Sequence, residues 1–484
     1  MKVLLVEPDF PYPNKSKQKA NEVHKNFVPI GLLKLGAYHK SKGDAVKLVR
    51  GKKSIKELDG FKPDAVFVTS LFTYWSGYVW EAIGYYREIF PGAEITLGGI
   101  YATLHHETAE FKRLSKRFKV FCHVGLHSHA EKFLPDYSLL SADNDYHVMH
   151  AMRGCIRRCG FCGTWKIEPK LFYKNAEQVT LEIRKVKKSR IIFYDNNFLA
   201  NPNIKEILNA LVGIRNHDKT IAYESQSGFD GRILEKDPEL ASLIKRAGFS
   251  NIRIAWDNGV KDKDSIKRQI DLLTEVGYLA KDVSVFMIYN FNIPLDQMIF
   301  KQKCCLSWGV QITDCRYRPL ESTFDNYSSH VQKIRQSPDD YYIHAIAGWT
   351  DDKIRLFRRL IRIHNIFIRY VKDKTKNFNV LYKRYEKIKN PAEVLEFMKI
   401  EMGYKKDMEK WSAIHNTFKF FNLGRPLQLG AIRKDKVMQN VIMLLDRAKA
   451  ICKKNNLEPA TLENLSWESI EKKLIHFLKI QDKK

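Results

Sequence analysis

No apolar run in the 484-residue chain approaches the ~20 residues that span a bilayer, so no membrane segment is expected. The opening Met1-Lys-Val-Leu-Leu-Val-Glu-Pro8 is too short and too soon interrupted to read as a secretory leader. Cysteine is sparse: eight in this length make no disulfide framework, which predicts a reducing compartment, the cytoplasm. No heptad run or internal repeat is evident, which argues against a coiled coil or solenoid. Acidic residues are outnumbered 55 to 82 by Lys and Arg, a formal net charge of +27. The excess is uneven, for Asp351–Lys484 carries 31 Lys and Arg against 16 Asp and Glu. Such a balance favours acidic partners, nucleic acid or anionic lipid, or else reflects lysine-rich solvated surfaces. Hydrophobic content of 44% and charge of 28% are ordinary for a globular chain with room for two or three domains.

What is present, against that sparse background, is a tight group of three cysteines. Met152-Arg-Gly-Cys-Ile-Arg-Arg-Cys-Gly-Phe-Cys-Gly163 places Cys155, Cys159 and Cys162 in a C-x3-C-x2-C spacing, with Phe161 before the last. Three thiolates on one short loop can hold three corners of a [4Fe–4S] cubane and leave the fourth iron open. An open iron is a place for a substrate, so the site reads as catalytic. A zinc knuckle and scattered core thiols are the alternatives. Structural zinc usually takes four N/S ligands, and no second Cys-x-x-Cys pair accompanies the triplet.

The loop resembles the cluster motif of radical S-adenosylmethionine (SAM) enzymes. The resemblance implies that SAM chelates the fourth iron through its amine and carboxylate. One electron then cleaves it to methionine and a 5′-deoxyadenosyl radical. It also implies an adenine near Phe161 and an external one-electron donor of the flavodoxin or ferredoxin type. An oxygen-labile cluster agrees with the cytoplasm.

Residues 1–140 alternate strands and helices. Val3–Val6, Ala45–Val49, Asp64–Leu71 and Ala93–Leu97 read as strands, with helices from Phe27 towards Gly43 and through Tyr86. That order predicts a doubly wound, Rossmann-like parallel sheet, whose ligands bind beyond the strands' C-terminal ends. The segments Val28-Pro-Ile-Gly-Leu, Thr69-Ser70 and Gly98-Gly99-Ile-Tyr-Ala-Thr103 are similar to the cobalamin-binding-type domain that precedes many radical SAM cores. By that resemblance Thr69, Ser70, Gly98, Gly99 and Thr103 are candidate cofactor contacts. No Asp-x-His-x-x-Gly motif is present, so the resemblance allows cobalamin without requiring it. A domain that binds nothing and only covers the core is the alternative. The nearby His105, His106, His123, His127 and His129 read as ordinary surface or core histidines.

Residues 145–320 read as six strand–helix units, from His147–Met152 through Ile191–Tyr194, Ile221–Glu224, Ile252–Trp256, Val283–Tyr289 and Val310–Thr313. Six units match the partial (β/α)6 TIM-type barrel of the radical SAM core, whose chemistry lies at the C-terminal strand ends. Carried onto those ends, the resemblance puts Asp195 and Asn196 near the SAM amino group. Gln226 suits the methionine carboxylate or ribose, and Asp257 the ribose hydroxyls. Arg316 or Arg318 could clamp a carboxylate bidentately. Cys304 and Cys305 read as core packing, and Cys315 as a thiol at a strand end.

Residues 321–349 read as a polar linker and 350–484 as a basic, mostly α-helical domain. Its first helix has an apolar stripe (Phe357, Leu360, Ile361, His364, Phe367, Ile368) and an arginine face (Arg355, Arg358, Arg359, Arg362). Helices are also expected at Glu393–Met402, Val437–Lys453 and Trp467–Ile480. The domain order resembles cobalamin-dependent radical SAM methyltransferases acting on unactivated centres. A radical SAM enzyme of another reaction type, such as rearrangement or cyclisation, stays open. So does an RNA modifier or nucleic-acid binder recognising through the basic C-terminal region.

Overall fold

The computed structural model describes residues 1–11, 28–141, 144–216, 219–328, 335–375 and 377–402. Met1–Pro11 and Val28–Met398 form one compact unit, so the expected boundaries at 140 and 320 fall inside it. Tyr12–Phe27 and Lys399–Lys484 make a second, almost wholly outside the described residues. The helices expected at Val437–Lys453 and Trp467–Ile480, with most of the basic region, lie there too.

The chain opens with a five-stranded parallel sheet in the order β2-β1-β3-β4-β5. Its strands are β1 (Lys2–Glu7), β2 (Ala45–Arg50), β3 (Ala65–Ser70), β4 (Glu94–Gly99) and β5 (Val120–Cys122). Val3, Leu4, Leu5 and Val6 are all fully buried, because the central strand of a parallel sheet is covered on both faces. Helix α1 (Ile30–Ser41) lays Leu32 and Leu35 against Val3 and Leu5. Helix α2 (Ser76–Ile89) buries Val79, Trp80, Ile83 and Tyr86. The Trp80 indole donates to Tyr101 Oη at 2.9 Å and the Tyr86 hydroxyl to the Gly51 carbonyl at 2.8 Å, so both large rings are buried with their polar atoms satisfied. The short helix α3 (Ile100–His105) follows β4, and α4 (Ala109–Phe118) starts at Thr108, whose side chain caps the Phe111 amide. Strand β5 escaped the sequence reading. It is three residues long and exposes Phe121, so its Val-Phe-Cys run is shorter than those that marked the others.

The Gly98-Gly99 pair has a steric role. β3 and β4 pair Thr69 with Gly98 and Ser70 with Gly99. Gly99 sits at φ +98°, and a Cβ there would lie 2.2 Å from the Ser70 carbonyl oxygen. Gly99→Ala is therefore expected to cost about 3 kcal/mol through backbone strain and clash. At Gly98 the nearest contact for a Cβ is His123 Cβ at 3.7 Å, ordinary packing, so Gly98→Ala should change stability little. Urea melts of the two variants check the contrast.

Two further parallel ladders follow. The first comprises β6 (His147–Met149), β7 (Arg190–Phe193) and β8 (Ala222–Ser225), and the second β9 (Arg253–Ala255), β10 (Ser284–Tyr289) and β11 (Gln311–Arg316). Parallel bridges Tyr223–Phe249 and Phe229–Ile254 join them, so six parallel strands follow one another in chain order. The connections carry α5 (Thr164–Ile167), α6 (Ala176–Val186), α7 (Ile204–Leu211), α8 (Gly231–Lys236), α9 (Glu239–Ala247), α10 (Lys263–Glu275) and α11 (Leu295–Trp308). The result is a mixed α/β chain with parallel sheets and many helices.

The stretch read as a linker packs tightly where it is described. Tyr341 and Trp349 are buried, and the Trp349 indole donates to the carbonyls of Phe291 and Ile293 at 3.1 and 3.0 Å. Asn290, fully buried and at φ +57°, pins it by donating to the Tyr342 carbonyl and accepting from the His344 amide. A polar composition had hidden two anchoring aromatics. Beyond it runs α12 (Asp351–Ile366), with Phe357, Leu360, Ile361 and His364 buried as the stripe required. His364 Nε2 lies 2.9 Å from the Val310 carbonyl and must donate to it, leaving Nδ1 to accept from Gln302. Burial pushes that imidazole down to about 4 and keeps it neutral. Helices α13 (Phe378–Lys387) and α14 (Pro391–Ile400) end the described chain.

Candidate active site

The cysteine loop leaves the second sheet directly after β6. Its base is fixed by a carboxylate that the sequence placed elsewhere. Asp195, expected to touch SAM, has no exposed surface. Its Oδ1 accepts from the amides of Ala151 (3.0 Å) and Met152 (2.6 Å), and Oδ2 from Ala151 (3.1 Å). Asn201 completes the clamp by donating to the Ala151 carbonyl at 2.9 Å. Burial raises the Asp195 carboxyl to about 7, against the pull of those amides. It thus lies beneath the loop, because the strand after β6 needs its peptide N–H groups satisfied where water cannot reach.

Asn196, the next residue, faces the loop. Its Oδ1 accepts from Thr164 Oγ1 (3.1 Å) and its Nδ2 donates to Glu168 Oε2 (3.3 Å). Glu168 also accepts from the Gly154 amide at 2.7 Å and pairs with Arg153 at 2.9 Å. Gly154 sits at φ +81°, and a Cβ there would come within 2.8 Å of the Lys170 carbonyl, so the turn into Cys155 needs glycine. On the other flank Asp230 caps α8, pairs with Arg157 at 2.9 Å and Arg232 at 2.9 Å, and accepts from Asn197 at 3.0 Å. The entry to the loop is therefore anchored through its amides by Asp195 and Glu168, and the Arg157 side chain within it by Asp230.

The three cysteines are free and half-buried. The Arg157 amide approaches Cys155 Sγ at 3.3 Å, and Cys162 Sγ lies 3.3 Å from Thr164 Oγ1. The Cys159 thiol is pushed up by burial, then by the charge of Asp257 and by the neighbouring Cys162 and Cys155. Among the described residues no three His, Cys, Asp or Glu side chains are placed to hold a metal ion. The donor set suits a polynuclear cluster, in which each thiolate takes a separate iron.

Around the thiols lie the other strand ends. Phe161 meets Phe291 edge to face, with ring centroids 5.9 Å apart. Gln226 keeps its Oε1 buried without a partner, an acceptor still available to a ligand. Asp257 is half-buried beside Cys159. Burial raises its carboxyl, against the attraction of Lys301 and Arg232. Cys315, exposed at the end of β11, lies near the same carboxylate, and its thiol is raised with Asp314 and Asp257 as neighbouring charges. Asp257 thus lies within electrostatic reach of both Cys159 and Cys315, in the polar crevice beside the loop at these C-terminal strand ends.

Arg316 is engaged through one nitrogen, while its Nε and Nη1 are buried without a partner among the described residues. Its Nη2 holds Asp325 bidentately at 2.6 and 2.7 Å, with Tyr327 and Tyr341 against the guanidinium at 4.5 and 5.0 Å. Arg318 shares Asp325 at 3.0 Å and covers the Tyr74 ring at 4.4 Å, joining the crevice to the first sheet's loops. The proposed cobalamin contacts are also engaged. Ser70 Oγ donates to the Gly98 carbonyl and accepts from the Ala102 amide, while Thr103 Oγ1 donates to Gly99 and accepts from Gly125. Cys304 and Cys305 are buried in α11. Thr164 and Glu168 were missed by the sequence reading, whereas Asp230 closes the polar strand end Glu224-Ser-Gln-Ser-Gly-Phe-Asp230 read as suited to methionine carboxylate or ribose.

Residues 149–272 match the family model described as Radical SAM superfamily. A Radical SAM superfamily domain therefore occupies the centre of the chain, spanning the cysteine loop, Asp195, Gln226 and Asp257. That domain marks an enzyme, and its family implies a [4Fe–4S] cluster and SAM and typically needs an electron donor. No curated protein matches the chain. Among solved structures it is similar to Rhizobium etli pyruvate carboxylase T882A with the activator acetyl coenzyme A. Identity is 11% and the TM-score 0.22, over 92% of this chain and 35% of that one. The carboxyl transferase domain of the Rhizobium etli enzyme with pyruvate gives 10% and 0.20, over 83% and 56%. The chain thus spans about a third and just over half of those two chains. At such TM-scores nothing about this protein follows from them. Among the described residues no helix is long and apolar enough to cross a membrane.

Proposed function

We propose that this chain cleaves SAM reductively on a cluster held by Cys155, Cys159 and Cys162, using the crevice beside them to direct the radical onto a substrate. The observation that carries the reading is the loop itself: three free thiols on a loop whose entry amides Asp195 holds and whose Arg157 side chain pairs with Asp230. When bound, the cluster supplies one electron to SAM, and the family's external donor, of flavodoxin or ferredoxin type, replaces it. The chain's own residues do the positioning. Asp195 fixes where the loop starts, and Asn196 with Thr164 and Glu168 fixes where it ends. Gln226 Oε1 is set to accept from the SAM amine and Asp257 from ribose hydroxyls, while Phe161 offers a ring face to adenine. The flanking strands exclude water from the reacting atoms.

For the reaction beyond cleavage, the domain order supports cobalamin-dependent methyl transfer to an unactivated centre. A second reading, radical rearrangement or cyclisation without cobalamin, is favoured by the engagement of Ser70, Gly99 and Thr103 within the chain. Those three fit a cofactor contact poorly as they stand. The RNA-modifying alternative draws less support from α12, because Arg355 and Arg358 pair with Asp351 and Asp314. Anaerobic protein reconstituted with iron, sulfide and cobalamin, then given SAM and a strong reductant, separates the readings. 5′-Deoxyadenosine with S-adenosylhomocysteine is the outcome for methyl transfer. Deoxyadenosine alone leaves a radical enzyme of another type.

A further inference from the structure

Lys301 lies in the middle of α11 with no exposed surface and no carboxylate within ion-pair distance among the described residues. Burying an ammonium is costly unless fixed acceptors replace its water shell. Here the acceptors are two main-chain carbonyls, of Trp256 at 2.6 Å and of Asn258 at 3.0 Å. They flank one residue, Asp257. The ammonium also lies 5.2 Å from the centre of the Trp256 ring, which stacks on Trp308 from the same helix. The Trp256 indole closes the turn by donating to the Gly259 carbonyl at 3.0 Å. The stretch 256–259 is therefore held by a single cation that donates to both sides of Asp257, whose carboxylate lies within electrostatic reach of Cys159.

We infer that Lys301 is a positioning residue for Asp257, fixing the turn after β9 so that its carboxylate meets the ribose of bound SAM. The inference rests on the reading in which Asp257 contacts SAM. Two electrostatic facts agree with it. Asp257 supplies the largest attraction opposing the burial that lowers the Lys301 ammonium to about 8, and Lys301 is the largest favourable charge on Asp257. A lysine serving packing alone would not need its charge; methionine has the same length and no desolvation cost.

The test uses the full chain with its cluster reconstituted, and SAM without reductant as the probe. Lys301→Met is expected to weaken SAM binding about tenfold, or about 1.4 kcal/mol, while iron content and the cluster's absorption stay unchanged. Asp257→Asn should weaken binding as well. In the double variant the lysine change should add nothing, because the carboxylate it positions is already lost. Lys301→Gln, which keeps a donor for one carbonyl, should fall between and replaces Lys301→Met should that variant fail to load iron. Unchanged SAM affinity in Lys301→Met, or a full additive loss in the double variant, would overturn the inference. Cluster-loaded wild type that binds no SAM would overturn the reading beneath it, and the inference with it.

Discussion

Cys159→Ala is expected to abolish both the cluster's visible absorption and all deoxyadenosine formation. Cys159 stands between the other two thiols in sequence, and its neighbours include both of them and Asp257. Removing it leaves two thiolates on the loop, too few to hold three irons and leave the fourth to SAM. A protonated thiol is a poor ligand, so iron must displace that proton, and burial of Cys159 should move its loading to higher pH than for an ordinary cysteine. Iron analysis and chromatography of the quenched reaction check the result. A variant that still cleaved SAM would place the cluster elsewhere.

Asp195→Ala should cost about 2–5 kcal/mol and lower iron content, rather than weaken SAM binding alone. The side chain accepts from two buried amides, and truncation leaves both without partners beside a new cavity. Asp195→Asn keeps one acceptor oxygen and should do less harm. The amide variant also isolates a pH effect. The native carboxyl titrates near 7 against an ordinary 3.8, so the folded chain binds a proton through that window that the unfolded chain does not. By linkage this group adds stability as pH falls from about 7 towards 4, and loses it as pH rises. Chemical melts between pH 5 and 7.5 should show that slope in the wild type and not in Asp195→Asn.

These two residues also show how far the sequence could be read. The cysteine spacing was legible because the chemistry demands residue type and local order together, both visible in one short stretch. Asp195 was legible as a polar residue at a strand end, but not that it accepts from the Ala151 and Met152 amides, which depends on which face of β7's end is covered, a fact of tertiary packing. Arg316 was legible as a strand-end guanidinium, but not that its Nη2 holds Asp325, which comes from a stretch read as linker. Periodicity revealed the strands where the apolar run was longer, as at Val3–Val6, and missed β5, whose run is only three residues. The buried lysine behind Asp257 had no sequence signal at all. Its meaning comes from two carbonyls more than forty positions away.

The measurement that tests the central claim most directly is the yield of 5′-deoxyadenosine. The protein is reconstituted without oxygen, its iron and sulfide are counted, and SAM and dithionite are added. Deoxyadenosine formed by the wild type, in step with SAM consumed and absent from Cys159→Ala, is the result predicted here. A cluster-loaded wild type that leaves SAM intact would contradict it.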